Sequence, residues 1–233
     1  MPTGLEDAPH CSVPLIFDSN DDTFRYWFNG TGFLVALKSK LFLITARHCL
    51  RDKDPGSLRI LSDLSGTDVF SVEAVAIPQD DEDYADFAIL SLSPPRDNSC
   101  QGSDTVIPFS LDTPEATAQP HPDNILVVRG FPGAVPGAHI NYDTKIIHLR
   151  AALLEAKAAG FRLNLGKGKL DFAKSLSLDD LGGLSGSPVF IRRRSDAEKF
   201  SYHLCGVMIQ GSGVSRVGHF VAISLIMAAM EVF

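Results

Sequence analysis

Short apolar runs separated by turn-forming residues set the pattern of this chain. Phe33–Leu37, Leu41–Thr45, Val69–Ile77 and Phe87–Leu92 each have strand length and a composition rich in β-branched and aromatic residues. The two runs that flank Lys38-Ser39-Lys40 predict a hairpin. Strands resume with Ile125–Val128, Ile146–Leu149, Ser187–Ile191, Leu204–Ile209 and Phe220–Ile223. Between the two sets, Pro94 to Pro122 holds six of the fourteen prolines and only one short apolar patch, Val106 to Phe109, which predicts a connector. The expected division is a β unit over 1–110, a connector over 111–122 and a second β unit over 123–233. The segment 150–159, RAALLEAKAA, favours helix on propensity, yet its neighbours are β, so strand is the expectation. Ser224–Val232 predicts a terminal helix.

A length of 233 residues exceeds one small core, and 45% hydrophobic with 21% charged residues supplies enough apolar surface to offset ordering entropy. General disorder is excluded. Lys plus Arg number 21 against 28 Asp plus Glu, a formal charge of −7, the wrong sign for a phosphate-backbone ligand. Nucleic acid is not an expected partner. The longest apolar stretch, Phe220 to Met230, is interrupted by Ser224 and falls short of the roughly 20 residues of a bilayer span. No membrane association is expected, and the first twenty residues carry no Lys or Arg to begin a secretion signal. Cys11, Cys49, Cys100 and Cys205 form no CxxC pair, so neither zinc spacing nor a dense disulfide framework is present. A cytoplasmic protein with free thiols and no metal or organic cofactor is the expectation.

Three short motifs carry the chemistry. Thr45-Ala46-Arg47-His48-Cys49 ends a β-run and delivers a histidine whose ordinary pKa, about 6.5, suits a general base near neutrality. Asp86 stands directly before the apolar run Phe87–Leu90, where a carboxylate can accept from a histidine ring nitrogen and set its tautomer. Asp80, Asp81, Glu82 and Asp83 instead read as a solvated acidic loop. In Gly182-Gly183-Leu184-Ser185-Gly186-Ser187-Pro188, glycines on both sides of Ser185 permit a tight turn that aims the Gly183 and Ser185 amides at one point. Taken alone, the first motif is also compatible with an ordinary buried or surface histidine and the third with an ordinary Gly-Ser loop before a strand.

Taken together and in order, these segments resemble the trypsin-like serine peptidases, particularly the disulfide-poor bacterial type related to the HtrA proteases. Residues 45–49 look like the family's histidine motif, Gly30–Val35 like the GTGF strand before it, and Asp86–Leu90 like its aspartate strand. Gly183–Pro188 is similar to the GxSGxP nucleophile motif, Leu204–Val207 to the strand that follows, and Gly130-Phe131-Pro132-Gly133 to a turn of the bacterial members. The resemblance implies an all-β fold of two six-stranded antiparallel β-barrels with a C-terminal helix. It implies a cleft between the barrels with His48 and Asp86 from the first and Ser185 from the second. His48 would then take the Ser185 proton, Ser185 would attack a peptide carbonyl, and Gly183, Leu184 and Ser185 would form the oxyanion loop.

Departures from the family pattern refine these expectations. Where secreted relatives pair the cysteine after the histidine with one before the preceding strand, residues 28–30 here are Phe-Asn-Gly, so Cys49 should be free and buried. Leu184 replaces the acidic residue that binds a new N-terminus in relatives activated by cleavage, so regulation falls to loop ordering, an attached domain or a partner. The resemblance puts the S1 floor at Asp179, beside Asp180, with Ile209, Gln210 and Gly211 as the other substrate-binding positions. A carboxylate there would favour Arg or Lys at P1, and a solvent-facing Asp-Asp turn is the alternative. Gly211 should leave the pocket mouth open.

Other signals point elsewhere. Ser187 in the fifth position and the order His, Asp, Ser exclude the GxSxG elbow of α/β-hydrolases. Gly160–Lys169 lacks phosphate-loop spacing. Arg192-Arg193-Arg194 reads as a charged hairpin tip, and His10, His121, His139, His148, His203 and His219 have no metal-ligand spacing. The expected function is a serine endopeptidase acting on a protein or peptide, with a latent form that awaits a trigger as a variant of that reading. The competing expectation is a non-catalytic module of the same fold that binds a peptide or partner.

Overall fold

A computed structural model describes residues 8–19, 21–61, 69–79, 85–93, 106–133, 139–141, 146–162, 166–173, 181–194 and 199–231. The first barrel contains β1 (Ser12–Asp18), β2 (Tyr26–Leu37), β3 (Lys40–Thr45), β4 (Leu58–Leu61), β5 (Val69–Ala76) and β6 (Ala88–Ser93). Neighbours run β1-β4-β5-β6-β3-β2, and the β1–β2 pairing closes the ring. The expected hairpin joins β2 to β3: Leu37 pairs with Lys40, and Lys38 and Ser39 both take positive φ, 50° and 65°, the geometry of a tight two-residue turn. From the connector, β7 (Phe109–Ser110) adds in parallel to β2.

The second barrel is closed from β8 (Ile125–Gly130), β11 (Ala152–Arg162), β12 (Lys167–Phe172), β13 (Pro188–Arg194), β14 (Phe200–Ser212) and β15 (Val217–Ala222). A small ribbon, β9 (His139–Asn141) with β10 (Ile146–His148), stands apart, and α1 (Ile223–Met230) ends the chain's described part. Strand β11 holds the helix-favouring segment. Leu154, Ala156 and Ala158 point inward while Glu155 and Lys157 face solvent, so period-two burial outweighs local propensity. In β12, a Cβ on Gly168 would lie 2.0 Å from the Phe220 ring, which needs that space to stack on Phe161.

Each barrel is filled by its own apolar set: Leu15, Phe33, Phe42, Ile44 and Ile89 in the first, Leu126, Val128, Leu170, Val189, Met208 and Phe220 in the second. Phe190, Leu204 and Val221, with Ile226 of α1, join the first cluster, so the barrels pack against one another over an apolar seam. Arg192–Arg194 belong to β13, paired with Phe200–Tyr202, and do not form a hairpin tip. Arg192 bonds Glu155 at 2.7 Å and lies over the Phe200 ring. Among the described residues no helix is long and apolar enough to cross a membrane.

Candidate active site

The β3–β6 ladder sets the distance between His48 and Asp86. Thr45, the last residue of β3, pairs with Ala88, the first of β6, so residues just beyond one face those just before the other. A short 3₁₀ turn, Arg47–Leu50, anchored by buried Cys49 and Leu50, follows β3 and turns His48 toward Asp86. The His48 backbone N–H donates to Asp86 Oδ1 at 3.0 Å, and ring Nδ1 bonds Oδ2 at 2.7 Å. Both carboxylate oxygens are thus committed to one histidine. With the Nδ1 proton directed at Asp86, a neutral ring exposes a bare Nε2. The imidazole is 43% exposed and the carboxylate 19%, so the ring reaches the cleft while its partner sits behind it. The Asp86 hydrogen bond foremost, then the Cys49 thiol, pushes the His48 pKa from 6.5 up to about 10, against the opposing effect of burial.

Ser185 lies on a loop whose peptide planes are each pinned. Gly182 O accepts from Gly133 N–H at 2.9 Å, and Leu184 O from Ser187 N–H at 3.0 Å. Because a trans peptide points its N–H away from its C=O, these bonds turn the Gly183 and Ser185 amides the other way. Neither amide donates to an acceptor among the described residues. The intervening plane is held by Leu184 N–H to Leu181 O at 3.2 Å and by the Thr31 hydroxyl to Gly183 O at 2.8 Å. Glycine is required at two points: Gly183 has φ +89° with a Cβ 2.6 Å from Phe131 O, and Gly186 has φ +87° with a Cβ 1.8 Å from Thr31 O. Leu184 is fully buried in the second core, an apolar anchor for the loop.

Thr31 joins the two halves of the site. Its N–H donates to Ser185 O at 2.9 Å, and its hydroxyl also accepts from Phe131 N–H at 2.9 Å. Its carbonyl accepts from the Thr45 hydroxyl at 2.7 Å. The motif reading noted the Gly-Thr-Gly strand without assigning Thr31 this part. Glycines in a strand interior, which mark close approach by another backbone, were the available signal. Asn29 was also missed; its side-chain amide donates to Cys49 O at 2.8 Å and ties strand to turn where secreted relatives were expected to carry a disulfide. Cys49 is free and buried, with Sγ 3.6 Å from Ser185 O.

His48, Cys49, Gly183 and Ser185 line one open cleft of about 270 Å³ together with Phe28, Asn29, Gly30, Gly133 and Gly182. The Ser185 hydroxyl donates to Ile209 O at 3.3 Å, not to His48. A protonated imidazole cannot accept the Ser185 proton, so in that state the hydroxyl can donate only elsewhere. Ile209, Gln210 and Gly211 follow the last β13–β14 pair, Pro188 with Val207, and Gln210 and Gly211 pair with His219 and Gly218 of β15. Gly211 does not leave the expected opening: a Cβ there would meet Met208 Cε at 2.6 Å and Leu181 Cδ1 at 3.1 Å. Asp179 and Asp180 lie outside the described residues. His203 is structural, bonded to Ser201 and to the Glu115 carbonyl.

Two closed six-stranded antiparallel barrels define the two-barrel fold of the trypsin-like serine proteases. The human heparin binding protein superposes with a TM-score of 0.61 at 13% identity, over 95% of this chain and 90% of that one. Two scabies mite inactivated protease paralogues share the fold. S-I1 has a TM-score of 0.57 at 17% identity over 98% of both chains. S-D1 has 0.60 at 12% over 98% of this chain and 92% of that one. No family model and no curated protein matches the sequence.

Proposed function

We propose that the chain is a serine endopeptidase with His48, Asp86 and Ser185 as its triad. The observation that carries this reading is the convergence, in one cleft, of a carboxylate-held imidazole, a hydroxyl and two undonated amides. Neutral His48 takes the Ser185 proton at Nε2 as Oγ attacks the peptide carbonyl, and the Gly183 and Ser185 amides receive the oxyanion. The imidazolium then protonates the departing amine, and water, activated by the same base, releases the acid and restores the serine. Substrate adds as a strand along Ile209, Gln210 and Gly211. The nearest affiliation we propose is the disulfide-poor bacterial type related to the HtrA proteases. The free Cys11, Cys49 and Cys205 fit a reducing cytoplasm.

A second reading has its own support. The fold is shared with proteins described as inactivated proteases, and Ser185 is hydrogen-bonded to Ile209 and not to His48. A non-catalytic peptide- or partner-binding module, or a latent enzyme that a partner or attached domain releases, would look alike at rest. Ser185→Ala separates them. The wild type, with or without trigger, should cleave casein and label with a fluorophosphonate at Ser185, and the variant should do neither while keeping its circular dichroism. Labelling that persists at another serine contradicts the assignment.

A further inference from the structure

We infer that Met208 and Leu181 close the recess beside Ser185 and restrict the substrate to a small residue, alanine, serine or glycine, at P1. The inference rests on the proposed peptidase function and names its substrate class. A peptide carbonyl at Ser185, with its chain along residues 209–211, directs the P1 side chain between the loop 181–185 and the end of β14. Gly211 and Gly218 pair across β14 and β15 there, and two facing glycines leave room for a side chain.

That room is filled from within the barrel. The β14–β15 register shifts between Met208 and Gln210, so Met208 and Gly211 oppose Phe220 and Gly218, which are two residues apart on one face. Without the shift Met208 would point away from Gly211. As built, Met208 Cε lies 2.6 Å from a Cβ placed on Gly211 and 3.3 Å from one on Gly218, and Leu181 Cβ and Cδ1 lie 3.3 and 3.1 Å from the former. Carbon pairs rest at about 3.5–4.0 Å, so little is left beyond the glycine surface. The Met208 backbone is tied to the Ser185 loop, its N–H donating to Ser187 O at 2.8 Å and its carbonyl accepting from Gly186 N–H at 2.6 Å, and its side chain is fully buried.

Diphenyl phosphonate peptides with Ala, Leu, Phe or Lys at P1 test the inference on the full chain. A misfit of one methylene in a pocket is worth about 10- to 200-fold, so Ala should inactivate at least tenfold faster than Leu and at least a hundredfold faster than Phe or Lys. Met208→Ala, and Met208→Val should the larger truncation impair folding, should move the preference toward Leu. Fluorophosphonate labelling of Ser185 reports that each variant is folded and competent. A wild-type preference for Phe or Lys, or competent Met208 variants with an unchanged profile, overturns the inference and leaves the peptidase reading standing. Absence of all labelling by fluorophosphonate, under triggered conditions too, takes down the peptidase reading and this one with it.

Discussion

Replacing Thr31 by valine tests whether the barrel seam builds the Ser185 loop. Valine has nearly the shape of threonine, so no cavity forms in this buried position, and the backbone bond from residue 31 to Ser185 O survives. Two partners of the hydroxyl are lost. Phe131 N–H is buried and has no route to water, whereas Gly183 O borders the cleft and can be partly rehydrated. An unsatisfied buried group costs about 1–3 kcal/mol, so the first loss falls within that range and the second toward its lower end, about 2–4 kcal/mol in all. Urea denaturation should report that loss for Thr31→Val, while Thr31→Ser, which keeps the hydroxyl, should lose less than about 1 kcal/mol. The 183–184 peptide would also keep only its Leu184 N–H anchor to Leu181 O, beside the proposed oxyanion amides, so fluorophosphonate labelling should slow by about tenfold or more, in keeping with the worth of such donors. A valine variant within about 0.5 kcal/mol of wild type that labels at the wild-type rate would refute the seam account.

Two further outcomes follow from the same contacts. Because Asp86 raises the His48 pKa from 6.5 to about 10, the labelling rate should still be climbing above pH 6.5 and level off only in the alkaline range. Asp86→Asn should move that limb down toward 6.5 and lower its plateau, and a wild-type midpoint at or below 6.5 would contradict the pairing. The stabilisation from this pair is complete below pH 6.5 and fades as pH rises through about 10, so the stability gap between wild type and Asp86→Asn should narrow over that window. Ser187 Oγ is buried with no hydrogen-bond partner among the described residues, so Ser187→Ala should leave thermal stability unchanged or raise it by about 1 kcal/mol. A loss of more than that would mean the hydroxyl has a partner, such as a bound water.

How far the sequence reached is clearest at particular residues. The run 150–159 has helical composition, yet its inward Leu154, Ala156 and Ala158 already spell a period of two, and the expected strand formed as β11. The C-terminal helix expected over Ser224–Val232 formed as α1, Ile223–Met230. His48, Asp86 and Ser185 could be nominated because each ends or begins an apolar run at a turn. Nothing local in Gly30–Val35 states that a threonine 152 positions from Gly183 would bond to it.

Alternation, turn residues and motif order by themselves determined an all-β chain in two halves and the side chains that would carry any chemistry. These are properties of neighbours along the backbone, whose geometry is set by local sterics and by which face is apolar. Only the tertiary structure decided that Thr31 and Gly133 hold the Ser185 loop, that Asn29 ties strand to turn, and that Met208 fills the space beside Gly211. Those outcomes depend on barrel closure and on a one-residue slip in the β14–β15 register, and a register is fixed by the packing of the whole core.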